Sequence, residues 1–307
     1  MIETLGLGRS FGSVVAVEDL NLQVKSGEAF AFLGPNGAGK TTTVRMLCCL
    51  IAPTQGKALL DGLDITEKKD QLKIRGMIGF LPENPGLYEG LSAYRNLDFY
   101  AKLYGVPEGE RDRRIMSLLK KLDIWDRRND AVAKYSKGMK QKIAIARALV
   151  HQPAFLFLDE PTSGLDPEAS KTVRDFLIEL KKEGHTLFLN THNLDEAQRV
   201  CNRIGILKRK LLAVGTPGDL ARHYFGRTTE VQLRVVRPEM LTALRALPSV
   251  LDVRQEEDRI LIDLQDPEQQ NPDIVKTLVA LGAEMKYVHE LRHGLEDIYL
   301  KLVRENQ

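Results

Sequence analysis

An α/β fold is the class this 307-residue sequence predicts: a parallel-sheet core, an antiparallel β portion ahead of it, an inserted helical block, and a small α+β domain behind. Runs with no polar residue, at 29–33 and 155–158, are what a strand covered on both faces requires. Helix-period segments alternate with such runs, as crossovers between parallel strands demand. A composition shift at Gly215-Thr216-Pro217-Gly218 then marks off a second region.

Taken in order, residues 1 to about 32 read as short strands and turns, with strands at 14–17 and 20–24 and a Ser26-Gly27-Glu28 turn. A Gly-rich turn and a helix from about Lys40 follow the apolar run. Leu59-Leu60-Asp61-Gly62 adds a strand and turn, and residues 77–81 another strand. Between about 88 and 150 the period becomes helical, with Leu91, Tyr94, Leu97 and Ala101 on one face and Ile115, Leu118, Leu119 and Leu122 on another. Strands return at 155–158 and 186–189 around a helix at 170–182. Residues 204–208 and 211–214 resemble a closing hairpin. We place the main domain at 1–220 and an accessory domain at 221–307. The latter reads β-α-β-β-α-β-α, from a strand at 229–235 to a helix at 295–303, an order that suggests a small ferredoxin-like domain.

The net charge of +2 is nearly balanced, and mixed clusters such as Arg111-Asp112-Arg113-Arg114 fit a solvated helix face better than a nucleic-acid patch. Cys48, Cys49 and Cys201 have no metal-ligand spacing and read as reduced, buried thiols of a cytosolic protein. The amino terminus lacks the pattern of a secretory signal. No apolar run approaches the ~20 residues that cross a bilayer, so the chain is expected to be soluble and to act on a membrane only through a partner.

Gly34-Pro35-Asn36-Gly37-Ala38-Gly39-Lys40-Thr41 fits the phosphate-loop pattern G-x-x-x-x-G-K-[ST], here between a strand and a helix, with Thr42 next in line. Its glycines let backbone N–H groups converge on phosphate oxygens at a helix amino terminus. Lys40 is suited to the β- and γ-phosphates and Thr41 to Mg²⁺. The apolar run ending Leu158-Asp159-Glu160 carries two carboxylates to a strand's carboxyl end. There Asp159 can order Mg²⁺ and Glu160 can polarise an attacking water.

With both motifs in this order, the chain resembles the ATP-binding-cassette family over roughly residues 1–220. Tyr135-Ser136-Lys137-Gly138-Met139-Lys140-Gln141 looks like a variant of that family's LSGGQ signature. The resemblance implies that Ser136 and the Gly138 amide contact the γ-phosphate held by an opposite subunit; as a bare pattern, Ser136 is a helix N-cap. Ser163-Gly164-Leu165-Asp166 matches the D-loop at the dimer interface, and Asn190-Thr191-His192 matches the switch histidine. Phe11 matches the aromatic that stacks on adenine; a core contact is its other reading. Two departures stand out: Lys137 and Met139 inside the signature, and Glu83 where the family has a glutamine near Mg²⁺ or the catalytic water. Residues 84–88 suit docking of a membrane partner's helix, although Leu87 and Tyr88 equally suit burial in the helical block.

The resemblance implies an ATPase that uses ATP and Mg²⁺. It works as a homodimer or heterodimer, peripheral on the cytoplasmic face of a membrane, and drives a separate transmembrane permease. The ending of the chain resembles the tails of type-2 exporter ATPases, which points to export. An ATPase acting on nucleic acid and a scaffold that binds ATP without turnover are the rival readings. The weak basic balance counts against the first, and Glu160 and His192 against the second. Stacking on Phe11 does not separate ATP from GTP.

Overall fold

The computed structural model describes residues 1–291 and 293–305. The chain divides into two compact units, Met1–Val214 and Gly215–Gln307. The division falls a little before the expected boundary at 220, because α8 (Pro217–Phe225), which the sequence reading did not assign as a helix, belongs to the second unit.

The first unit contains two sheets. β1 (Ile2–Phe11), β2 (Val14–Val24), β4 (Gln55–Leu60) and β5 (Leu63–Asp64) form an antiparallel sheet in the order β2-β1-β4-β5. β2 is one strand rather than two. Its alternation breaks where the register against β1 shifts and Asp19 takes a φ of 46°, the signature of a bulge.

The second sheet has the order β10-β9-β3-β8-β7-β6. Its strands are β3 (Ala29–Leu33), β6 (Ile78–Leu81), β7 (Phe155–Asp159), β8 (Thr186–Asn190), β9 (Arg203–Lys208) and β10 (Lys210–Gly215). β6, β7, β8, β3 and β9 pair in parallel. Every residue of β3, β7 and β8 is buried, which explains their unbroken apolar sequence. Phe30, Phe32 and Phe188 meet at centroid distances of 5.1–5.3 Å, so aromatic edges and faces fill the space beside the central strands.

Helices follow the strands. α1 (Lys40–Leu47) leaves β3 and buries Val44, Met46 and Leu47. α2 (Lys68–Met77) carries no helical apolar period in its sequence, because Ile74 is its one buried residue. The inserted block comprises α3 (Ala93–Leu103), α4 (Glu108–Lys121) and α5 (Lys137–Leu149). α6 (Pro167–Lys182) starts earlier than expected, since Asp166 caps it and Pro167 occupies its first turn. α7 (Leu194–Val200) is capped by Asn193.

In the second unit, β11 (Arg227–Leu233), α9 (Pro238–Arg245), β12 (Val250–Glu256), β13 (Arg259–Leu264), α10 (Pro267–Ala280) and β14 (Met285–Leu291) follow in turn, with α11 (Leu295–Glu305) last. The strands pair antiparallel in the order β12-β13-β11-β14, the arrangement of a ferredoxin-like sheet. Val231, Leu233, Met240, Leu244, Ile260, Ile262, Ile274 and Leu278 make its core. α10 runs further toward the amino terminus than its apolar spacing indicated, because its first turns are largely polar.

Among the described residues no helix is long and apolar enough to cross a membrane. The three cysteines are buried and form no disulfide.

Candidate nucleotide-binding site

β3 delivers the chain into the phosphate loop, and two of the loop's glycines are dictated by backbone crowding. A Cβ on Gly34 would sit 2.3 Å from the Leu207 carbonyl oxygen. Gly39 has a φ of 98°, and a Cβ there would lie 2.4 Å from the Ala16 carbonyl oxygen. Gly39 is also the N-cap of α1 and brings no side-chain cap, so the helix's first N–H groups remain available to an anion. Lys40 Nζ donates to the Gly34 carbonyl at 2.5 Å and the Pro35 carbonyl at 3.2 Å. Burial pushes the Lys40 ammonium below its usual pKa, against the opposing pull of Glu160 and Asp159.

The ends of β7 and β8 supply the opposite wall. Asp159 is buried, and its carboxylate accepts from Thr41 Oγ1 at 2.9 Å and from Asn190 Nδ2 at 3.2 Å. Glu160 follows with a φ of 52°, and its amide donates to the Asn190 carbonyl at 2.9 Å. A left-handed glutamate is uncommon, and this one stands just past the end of β7. Glu160 Oε1 lies 2.8 Å from His192 Nδ1. An imidazole protonated at Nδ1 donates this bond, and in its neutral form keeps Nε2 as an acceptor.

These walls enclose a cleft of about 460 Å³. Asn36, Gly37, Ala38, Gly39, Lys40, Thr41 and Thr42 line it, with Phe11, Glu83, Asp159, Glu160 and His192. Thus motifs separated by more than half the sequence converge on one space. Phe11 is 47% exposed, so the core-contact reading fails for it. The Arg9 guanidinium stands 4.5 Å from the Phe11 ring centroid, and Arg9 Nη1 donates to the Ala52 carbonyl at 2.8 Å. The ring is therefore braced by a cation while still contributing to the cleft.

Five residues expected to hold nucleotide do not line this cleft: Gly34, Pro35, Ser136, Gly138 and Asp166. Gly34 and Pro35 act through their carbonyls on Lys40. Ser136 caps α5, its Oγ accepting from the Met139 amide at 3.2 Å. Asp166 caps α6, accepting from the Ala169 amide at 2.9 Å. The two caps adjoin, since a Cβ on Gly138 would meet Ala169 Cβ at 2.9 Å. Gln141 Nε2 donates to the Pro161 carbonyl at 2.9 Å, tying α5 to the segment after Glu160.

The departures inside the signature have close neighbours of their own. Lys137 lies over Gly164, where an added Cβ would come 2.1 Å from its Nζ. Met139 Sδ accepts from Arg127 Nη1 at 3.8 Å. Arg9, Ser163 and Arg209 are additions to the expected site residues. Arg9 braces the cleft's aromatic, and Ser163 and Arg209 line the cleft. Ser163 stood inside a recognised motif, whereas nothing in the sequence around Arg9 or Arg209 signals a ligand.

Residues 17–163 match the ABC transporter family. The linearmycin resistance ATP-binding protein LnrL of Bacillus subtilis is 34% identical, over 86% of this chain and 85% of its own length. The bacitracin transport ATP-binding protein BcrA of Bacillus licheniformis is also 34% identical, over 99% of this chain and 97% of its own. Among solved structures, the dimeric post-hydrolysis cassette MJ0796 bound to ADP and Pi superposes with a TM-score of 0.64 at 27% identity, covering 70% of this chain and 98% of that one. The chain therefore belongs to the ABC transporter family, as one of its ATP-binding, ATP-hydrolysing subunits.

Proposed function

We propose that two copies of this chain, or this chain and a similar one, close on two ATP molecules and so drive a separate permease that exports its substrate. The observation that carries this reading is the division of the motifs: one set lines the cleft, and Ser136, Gly138 and Asp166 stand outside it. A second subunit that presents its own Ser136 segment would complete each cleft.

Within the cleft, Phe11 stacks the base, and the loop amides with Lys40 hold the phosphates. Glu160 takes the proton of the attacking water, and His192, hydrogen-bonded to it, holds the carboxylate in place; a ring protonated at both nitrogens would also donate from Nε2 to a γ-phosphate oxygen. The oxygen-only set of Thr41, Asp159 and Glu83 suits Mg²⁺, and the Thr41–Asp159 contact of 2.9 Å brings two of those groups together. Bound there, Mg²⁺ would neutralise phosphate charge.

A second groove of about 330 Å³, lined by Leu50, Arg75, Phe80, Pro82, Tyr100 and Tyr104, adjoins the segment that leads to Glu83. Tyr88 is exposed and packs on Phe99 at 5.2 Å, which favours docking over burial for that tyrosine. We assign this surface to the permease's cytoplasmic helix, which makes the chain peripheral on the cytoplasmic face. Export is supported by relatives named for linearmycin resistance and bacitracin transport.

The test is the Glu160→Gln chain with ATP and Mg²⁺. It should accumulate as a dimer on sizing, and the same protein without nucleotide should not. A chain that binds ATP yet remains monomeric in every mixture would overturn the reading.

A further inference from the structure

The turn between β9 and β10 is bolted to the nucleotide cleft. The Arg209 amide donates to the Ala38 carbonyl of the phosphate loop at 2.9 Å, and the Glu18 amide donates to the Arg209 carbonyl at 2.9 Å. Arg209 lines the cleft together with Ala16 and the phosphate loop. Its backbone has a φ of 61°, a conformation that favours glycine.

We propose that Arg209 is a second cation, beside Lys40, for the phosphates of the bound nucleotide; this rests on the cleft being the nucleotide site. Three carboxylates line the cleft, those of Glu83, Asp159 and Glu160. A polyphosphate anion entering there meets considerable negative charge, and a guanidinium offers several donors suited to phosphate oxygens. Among the described residues, no carboxylate pairs with the Arg209 side chain, and Glu18 on the adjoining strand is taken by Lys210 at 2.8 Å. Among the described residues the guanidinium thus has no carboxylate partner, while its backbone is fixed at both the amide and the carbonyl.

A pair of substitutions separates the charge of Arg209 from its backbone. Arg209→Gly removes the cation and suits the left-handed φ; Arg209→Lys keeps a charge. Thermal unfolding of the full chain without nucleotide, and ADP affinity at low and high salt, are measured for both and for the parent. Arg209→Gly should unfold at the parent temperature or higher, bind ADP about three- to tenfold more weakly at low salt, and show a flatter salt dependence. Arg209→Lys should recover part of the lost affinity. Unchanged ADP affinity in Arg209→Gly would overturn the proposal. So would a lower unfolding temperature accompanying the loss, because the residue would then be structural. A parent chain that fails to bind ADP would instead bring down the site assignment itself.

Discussion

The cleft at the ends of β3, β7 and β8 and the paired caps of α5 and α6 are both assembled from short motifs, yet their hydrogen bonds run in opposite senses. In the cleft, each motif is tied to another far along the chain: Thr41 to Asp159, Asn190 to Asp159, Glu160 to His192. At the caps, Ser136 and Asp166 bind amides three residues further on in their own helices. The cleft's motifs brace one another, whereas Ser136 and Asp166 bond within their own helices. That difference is what a chain carrying half of each of two sites would show, with the chemistry in one half and the contact that completes it in the other.

The largest expected effect tests the chemical half. Glu160→Gln should lose steady-state hydrolysis by on the order of 10²–10⁴, the usual worth of a general base, while ATP binding persists. Hydrolysis at the parent rate would remove Glu160 from the role of base. Next comes the presenting half. Ser136→Glu should cripple turnover by more than about tenfold, since in the proposed dimer it would set a carboxylate against a phosphate in a poorly solvated interface. Its binding of a fluorescent nucleotide as a monomer should match the parent. An equal loss of monomer binding would mean that Ser136 serves its own cleft.

Phe11→Ala should weaken ATP binding roughly tenfold, as expected for loss of one aromatic–base stack, and Phe11→Tyr should restore most of it. Equal affinities for all three chains would make the Arg9–Phe11 pair purely structural. Glu83→Gln should preserve turnover or raise it by about twofold, because one negative charge leaves the phosphate cleft. Abolished turnover in a folded Glu83→Gln chain would give that carboxylate a specific task.

What the sequence made legible follows from how local each signal is. The phosphate loop, the strand before Asp159 and the cap at Ser136 declare themselves within a few residues, since strand burial and helix starts restrict composition locally. The ferredoxin-like second unit was legible as an order of elements, although α8 and the early turns of α10 were not, being polar where they begin. Long-range approach was the blind spot. That Gly34 yields to Leu207, that Arg9 braces Phe11, and that the turn at Arg209 reaches Ala38 depend on pairings no single-sequence period reveals.

The central claim is that each catalytic site joins the phosphate loop of one chain to the Ser136 segment of another. Lys40→Ala and Ser136→Glu chains, each expected to turn over little ATP alone, can be mixed and their ATP turnover measured, with heterodimers counted by mass. In a mixed pair, one site receives both lesions and the other receives neither. The mixture should therefore hydrolyse ATP at up to roughly a quarter of the parent rate, the share expected if half the dimers carry one intact site of two. Heterodimers that form in quantity yet hydrolyse no more ATP than either variant alone would contradict the shared-site arrangement.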